Sequence, residues 1–346
     1  MRRVVLIDSK NLLYRMQAVF NNLSRQDGFP TGALFGCLST MLNISKRFPD
    51  AAIVWVWDGR GDTWRHKFMG SFPQIEVHNE KKKKYVGYKG QRHKNIPKQK
   101  SKYPETPRER ALLQLPVLQL ILRGAGIRSL EVESLECDDL IAMLTTRIHE
   151  LDKNVEVIIH SGDHDFYQLL SKRVKILTRV KAGKAEMVTK KMVIEKYGVR
   201  PRNWAKFRAF TGDSSDNISH LKNIGKVVAK KLLKAGLDPS VVNLPINEYV
   251  EKKYKKVFPD GVQKVWPALC GNYKLCKLVT DIDSDILSEE VRKDLEEMFS
   301  RFTSVRRFKR SKTGKTSHAF RRVGLLLSQY ELASILGRRH ILFSIP

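Results

Sequence analysis

Residues Val155–Asp165 read VEVIIHSGDHD: an apolar run rich in β-branched side chains, then serine and glycine, then two aspartates flanking a histidine. A continuous run of this length, closed by turn formers, predicts a strand buried on both faces. Working outward, Val4–Ile7 is followed by Asp8, and Ala52–Trp57 (AIVWVW) is followed by Asp58. The stretches between carry helical periodicity. Gly32–Phe48 sets Leu34, Leu38, Met41, Leu42 and Ile44 at a spacing of about 3.6 residues, and Arg108–Leu122 and Asp138–Leu151 read the same way. Strands alternating with helices imply an α/β fold, a mostly parallel central sheet flanked by helices. In such sheets ligands bind beyond the carboxyl ends of the strands, and each predicted strand delivers an aspartate there.

One aspartate after a strand is commonly a cap or a turn former. Three at one sheet edge should converge. Further acids come from two other segments. Glu136, Asp138 and Asp139 (in ECDD) head a predicted helix, where the dipole alone already favours negative charge. The segment GDSSDN supplies Asp213 and Asp216, three apart and able to share one face of a helical turn, or simply a polar turn before the next helix. Together with Asp163 and Asp165 the candidates number nine. Carboxylates so crowded repel one another unless cations neutralise them. Oxygen donors without soft partners select hard divalent ions, Mg²⁺ first and Mn²⁺ as its substitute. Two such ions a few ångströms apart serve displacement at phosphorus, one activating water and the other steadying the leaving oxygen.

The charge balance points to the substrate. Among 346 residues, lysine plus arginine outnumber aspartate plus glutamate 64 to 36, a formal net charge of +28. Such an excess suits a polyanion, nucleic acid before others. A hydrophobic fraction of 42% is that of a globular chain, not a disordered or membrane one. Residues Lys81–Arg110 hold twelve Lys/Arg against two acids, with Tyr85, Tyr88 and Tyr103 interleaved. Cations with aromatic faces make a platform for single-stranded nucleic acid. Gly225 followed by Lys226–Lys234 predicts a tight turn and an amphipathic helix, with Lys226 and Lys230 outside, suited to duplex phosphates. The triplet Gly314-Lys315-Thr316 ends like a phosphate loop, but position 309 is lysine where that motif needs glycine. Four scattered cysteines without zinc-ligand spacing suggest reduced thiols, and the short apolar run of MRRVVLIDSK suits neither a secretory leader nor a membrane span. A soluble cytoplasmic protein is expected.

Taken in order, the motifs resemble the 5′-nuclease superfamily of flap endonucleases, phage 5′→3′ exonucleases and the nuclease domain of bacterial DNA polymerase I. The likeness covers roughly residues 1–240. It is carried by Asp8 at a strand end, WDG at 57–59 with Arg65 beyond, YKGQR at 88–92, ECDD at 136–139, GDHD at 162–165, GDSSDN at 212–217 and IGKVVA at 224–229. The resemblance implies a PIN-like 5′-nuclease fold with a basic helical arch and an integral helix–three-turn–helix. It implies one metal cluster of Asp8, Asp58, Glu136, Asp138 and Asp139, and a second of Asp163, Asp165, Asp213 and Asp216. It makes Lys89 and Arg92 the arch pair at the scissile phosphate, Tyr88 a base-stacking neighbour, and Arg65, Gly225, Lys226 and Lys230 further DNA contacts. A K⁺ ion at the helix–three-turn–helix also belongs to the pattern, although His220 and Asn223 stand where the family has glycines.

The implied activity is two-metal-ion hydrolysis of DNA, and of RNA primers on DNA, from 5′ ends or flaps during replication. The chain would act as a monomer, alongside replication proteins, in a phage-infected cytoplasm. Two other functions fit parts of the pattern. A non-catalytic junction-binding protein would use the acids only as caps, and a PIN-type ribonuclease would lack residues like 81–110 and 212–234. The expected division is a nuclease domain over 1–190 with the arch at 81–110, a helix–three-turn–helix region over 191–275, and a C-terminal extension over 276–346.

Overall fold

The computed structural model describes residues 2–71, 102–181, 184–220, 224–246, 248–302 and 317–345. Six strands form one sheet: β1 (Arg3–Asp8), β2 (Ala52–Val56), β3 (Arg128–Leu130), β4 (Glu156–His160), β5 (Val174–Lys181) and β6 (Lys184–Val188). Their order is β3-β2-β1-β4-β5-β6. All neighbours run parallel except the β5–β6 edge hairpin. From β1 the chain builds outward to β2 and β3, then returns to the other side of β1 for β4. The strand order therefore reverses between β1 and β4, the crevice where such sheets bind ligands.

The first half contributes helices α1 (Ser9–Val19), α2 (Gly32–Arg47), α3 (Trp64–Ser71), α4 (Pro107–Gly124) and α5 (Cys137–Leu151). The second contributes α6 (Lys190–Tyr197), α7 (Trp204–Thr211), α8 (Lys226–Lys234), α9 (Glu248–Tyr254), α10 (Val262–Cys276) and α11 (Glu289–Ser300). After residues 303–316, where the basic run Arg306–Lys315 lies outside the described residues, come α12 (Ser317–Gln329), α13 (Ala333–Leu336) and α14 (Arg339–Ser344). None of the described helices is long and apolar enough to cross a membrane.

Alternation along the strands separates two cores. Val4, Leu6, Val54, Val157 and Ile159 face one side, where α5, α7, α8, α10 and α11 cover them. Val5, Ile7, Ile53, Trp55 and Ile158 face the other, under α1, α2 and α4. The described helices after α10 divide between the two. Leu295 of α11 joins the first core, whereas Val323, Leu327, Ile335 and Leu342 of α12–α14 join the second. Near that second face Tyr103 is edge-on to Phe29 at 5.5 Å and donates from its hydroxyl to Asp27 at 3.0 Å.

Candidate active site

Asp8 ends β1 and caps α1, its Oδ1 accepting the Asn11 N–H at 3.2 Å. Its Oδ2 accepts the Ser161 hydroxyl at 2.7 Å, which ties the β1 end to the loop after β4. Asp58 follows β2 and accepts the Cys137 N–H at 2.9 Å, so it caps α5 from a distance. The glycine after it is required by close approach. A Cβ on Gly59 would stand 1.8 Å from the Val132 carbonyl oxygen, and the Gly59 N–H donates to Leu135 at 2.8 Å. Asp163 accepts the Asp165 N–H at 2.9 Å within the turn that follows β4.

These elements bring Asp8, Asp58, Asp138, Asp163 and Asp216 to the wall of one cavity of about 410 Å³ at the carboxyl ends of β1 and β4. The same wall carries Lys10, Asn11, Tyr14 and Arg108, none of them a sequence-based candidate. Lys10 meets Asp58 at 2.9 Å, and the Arg108 guanidinium stands 5.8 Å over the Tyr14 ring. A signal existed for two of them: Lys10 and Asn11 lie in the first turn of α1, which starts directly after Asp8, and so stand at the same edge of the sheet.

Among the described residues, two groups have donors close enough to share an ion: Asp8, Cys137 and Asp138, and Asp165, Asp213 and Asp216, each with ligand atoms within 4.8 Å of one another. Burial pushes the Asp8 carboxyl up to about 7, with Asp163 and Asp58 adding to the rise and Ser161 opposing it. Burial likewise holds Asp165 up to about 7, Asp163 adding and Arg208 opposing. Asp165 Oδ1 is buried without a hydrogen-bond partner, with Arg208 Nε at 3.6 Å. Arg208 also pairs with Asp213. Crowded oxygen donors, raised carboxyls and an unsatisfied buried carboxylate oxygen suit hard divalent cations. Burial raises the Cys137 thiol as well, so its Sγ stays protonated and donates to the Val56 carbonyl at 3.1 Å.

Asp213 and Asp216 sit on a tight turn and not on a helical one. Asp213 and Ile218 exchange backbone hydrogen bonds of 2.8 and 2.7 Å, with Gly212 at φ 67° and Asn217 at φ 62°. The positive φ values explain the glycine and asparagine of GDSSDN.

Two expectations are corrected by burial. Arg65 does not reach the surface: it is 2% exposed, and its guanidinium meets Asp139 at 2.6 and 2.9 Å and Glu136 at 2.6 Å. No face is left for a phosphate. Asp139, fully buried, also accepts the Trp64 indole N–H at 2.9 Å and the Val279 N–H at 2.9 Å. It points away from the cavity because successive helical residues diverge by about 100°, so Asp138 and Asp139 cannot share a direction. Glu136, 5% exposed, turns with Asp139 toward Arg65.

Lys89, Arg92 and Tyr88 lie outside the described residues. Gly225 opens α8, and a Cβ there would meet nothing within 4 Å. Lys226 Nζ stands 5.7 Å over the Tyr197 ring. Lys230 and Lys234 face Arg200 and Arg202 across a groove of about 290 Å³ with no acid in its wall.

The chain is similar to known proteins. Residues 3–198 match the family described as 5′-3′ exonuclease, N-terminal resolvase-like domain. The chain is 30% identical over 292 residues to a 5′-3′ exonuclease of Aquifex aeolicus, covering 84% of this chain and 87% of that one. It is 34% identical over 232 residues to the thermostable DNA polymerase I of Thermus aquaticus, which is 67% of this chain and 24% of the polymerase. The chain thus spans about a quarter of that relative. Among solved structures, T5 5′-exonuclease with zinc bound matches at a TM-score of 0.61 and 19% identity, over 85% of this chain and 99% of that one. The bacteriophage T5 flap endonuclease in a complex with DNA and metal ions matches at 0.58 and 19%, over 85% and 98%. At such identity the structural likeness speaks for the fold alone.

Proposed function

We propose, from the premise that this chain belongs to the 5′-3′ exonuclease family, that it hydrolyses phosphodiester bonds of DNA at 5′ ends and flaps during replication. The observation that carries this reading is the cavity at the β1–β4 crevice, walled by five aspartates and by Lys10 and Arg108. Asp8, Asp58 and Asp138 would hold one divalent ion, and Asp163, Asp165, Asp213 and Asp216 the other. Mg²⁺ is the natural choice for all-oxygen donors, with Mn²⁺ replacing it. When bound, the pair supplies an activated water and a counter-charge for the leaving oxygen.

The chain's own residues do the rest. Lys10 and Arg108 offer positive charge on the cavity wall, where a scissile phosphate would sit and charge would build. Tyr14, beneath Arg108, gives that cation an aromatic floor. Lys89, Arg92 and Tyr88 are assigned to the arch by resemblance. On the neighbouring face, α7 and α8 form the duplex grip. The open space at Gly225 admits a phosphate to the α8 N-terminus, and the groove of Arg200, Arg202, Lys230 and Lys234 takes another without reading sequence. RNA–DNA hybrids, a K⁺ ion at the α7–α8 connection, replication partners and a monomeric phage-type setting complete the proposal.

The test is a 5′-labelled flap duplex incubated with Mg²⁺ or with chelator, alongside Asp163→Asn. An asparagine Oδ1 can still accept the Asp165 N–H, so the variant keeps its turn while losing the charge. Metal-dependent cleavage near the junction, absent in the variant, is the expected result. Tight binding without cleavage, the same in both proteins, would instead mean a non-catalytic junction binder.

A further inference from the structure

The residues that link the two acid clusters come from far along the chain. Leu275–Val279 comprises the last two residues of α10 and the three that follow it. Each of these five residues has a backbone group held by a side chain from the catalytic half. Arg65 Nε donates to the Leu275 carbonyl at 3.0 Å, and its Nη2 to the Lys277 carbonyl at 3.1 Å. Between them, Gln168 Nε2 donates to the Cys276 carbonyl at 2.8 Å, and Gln168 Oε1 accepts the Leu278 N–H at 3.2 Å. Val279 donates its N–H to Asp139 Oδ1 at 2.9 Å. The grip alternates between two anchors. One is the Arg65–Asp139 pair, which joins α3 to α5, the helix that carries Asp138. The other is Gln168, on the short 3-10 turn Asp165–Leu169 that carries Asp165.

We propose that Leu275–Val279 is a splint fixing the separation of the two acid clusters, with Arg65, Asp139 and Gln168 as its positioning residues. None of the three touches the reacting atoms. Their effect is to lock α5 and the 165–169 turn against one rigid stretch of backbone, four of whose side chains, Leu275, Cys276, Leu278 and Val279, are buried. Displacement at phosphorus by paired ions requires a separation of roughly 3.5–4 Å. The β1–β4 pairing and the Ser161 hydroxyl on Asp8 tie the strand ends together, and the splint adds a tie between the 165–169 turn and α5. The splint lies outside residues 3–198, so the family's N-terminal unit does not contain it.

This inference rests on reading the clusters as a paired metal site, and the experiment separates the two. Mn²⁺ is titrated into the full chain by calorimetry, and the spin coupling of the bound ions is recorded by electron paramagnetic resonance. Wild type, Gln168→Met and Gln168→Glu are compared. Methionine keeps the bulk of glutamine and loses both hydrogen bonds, whereas glutamate keeps an acceptor for the Leu278 N–H and loses the donor. In Gln168→Met the second ion is expected to bind about 10-fold more weakly, the lower end of the effect of removing a direct partner of a ligand, because Gln168 acts through the turn that carries Asp165. Its Mn²⁺–Mn²⁺ coupling should change, and kcat should fall while KM for the flap duplex holds. Gln168→Glu should lie between. Titrations and spectra identical to wild type, with only the melting temperature lowered, would overturn the splint. Wild type binding fewer than two Mn²⁺ would overturn the paired site beneath it.

Discussion

Replacing Arg65 by methionine separates a surface role from a buried one. The guanidinium is the cation for two carboxylates that are themselves almost inaccessible, Asp139 and Glu136, and it donates to two carbonyls besides. Methionine fills much the same volume but leaves both acids facing each other in the interior. Breaking a buried ion pair from one side costs about 3–5 kcal/mol, because the remaining charge is uncompensated. With an unfolding entropy of about 2.1 cal/mol/K per residue, a chain of 346 residues loses 1 kcal/mol for each fall of roughly 1.4 °C. The expected drop in melting temperature is thus about 4–7 °C by calorimetry. Binding to a flap duplex in Ca²⁺, followed by anisotropy between 50 and 200 mM salt as a working range, should keep its slope of log affinity against log salt. A residue that neutralises one phosphate contributes about 0.9 to that slope. A slope shallower by about one, with the melting temperature unmoved, would refute the buried role and return Arg65 to the DNA.

Two further outcomes follow from the same geometry. Asp8 and Asp165 titrate near 7 in the fold against 3.8 ordinarily, so the folded chain holds extra protons between about pH 4 and 7. The stability these protons confer is complete below about pH 4 and lost as pH rises through 7. The chelated protein should therefore melt at falling temperatures across that window, and a saturating divalent ion should open a gap that widens with pH; parallel curves would contradict it. The two glycines also make opposite expectations. Gly59→Ala forces its Cβ onto the Val132 carbonyl and should cost about 1–3 kcal/mol and weaken metal binding through Asp58, whereas Gly225→Ala, with open space around it, should leave the melting temperature alone and weaken only duplex binding.

The strands and the aspartates at their ends were legible because each rests on a local signal. β-branched runs bounded by polar turns set β1, β2 and β4 within a residue or two of their observed limits, and helical periodicity did the same for α2, α4 and α5. The convergence of Asp8, Asp58 and Asp163 then followed from topology. What stayed hidden depends on direction or on backbone. In ECDD the identity of the acids says nothing of which faces inward, although helical geometry forbids adjacent residues from pointing alike. Arg65 reads as a surface cation until its acceptors are known, and two of those are the carbonyls of Leu275 and Lys277, which carry no sequence signal. The destination of α12–α14, on the face opposite α11, was equally silent, since amphipathic helices advertise an apolar stripe without its partner.

The capping and metal-binding accounts of the acids, set against each other by sequence, are compatible in the fold. Asp8 uses Oδ1 to cap α1 and Asp58 uses Oδ1 to cap α5, while both residues line the cavity. A cap fixes the carboxylate in one rotamer, and a fixed carboxylate is what a metal site requires of its ligands. Asp163 does likewise with the Asp165 N–H. The site is thus built from the residues that would be needed anyway to turn strand into helix at the sheet edge, and only their crowding costs stability. Burial and mutual repulsion hold Asp8 near 7 against its bonds from Ser161 and Asn11, and Asp165 near 7 against the charge of Arg208, a strain that a bound cation relieves and a merely structural protein would have no reason to keep.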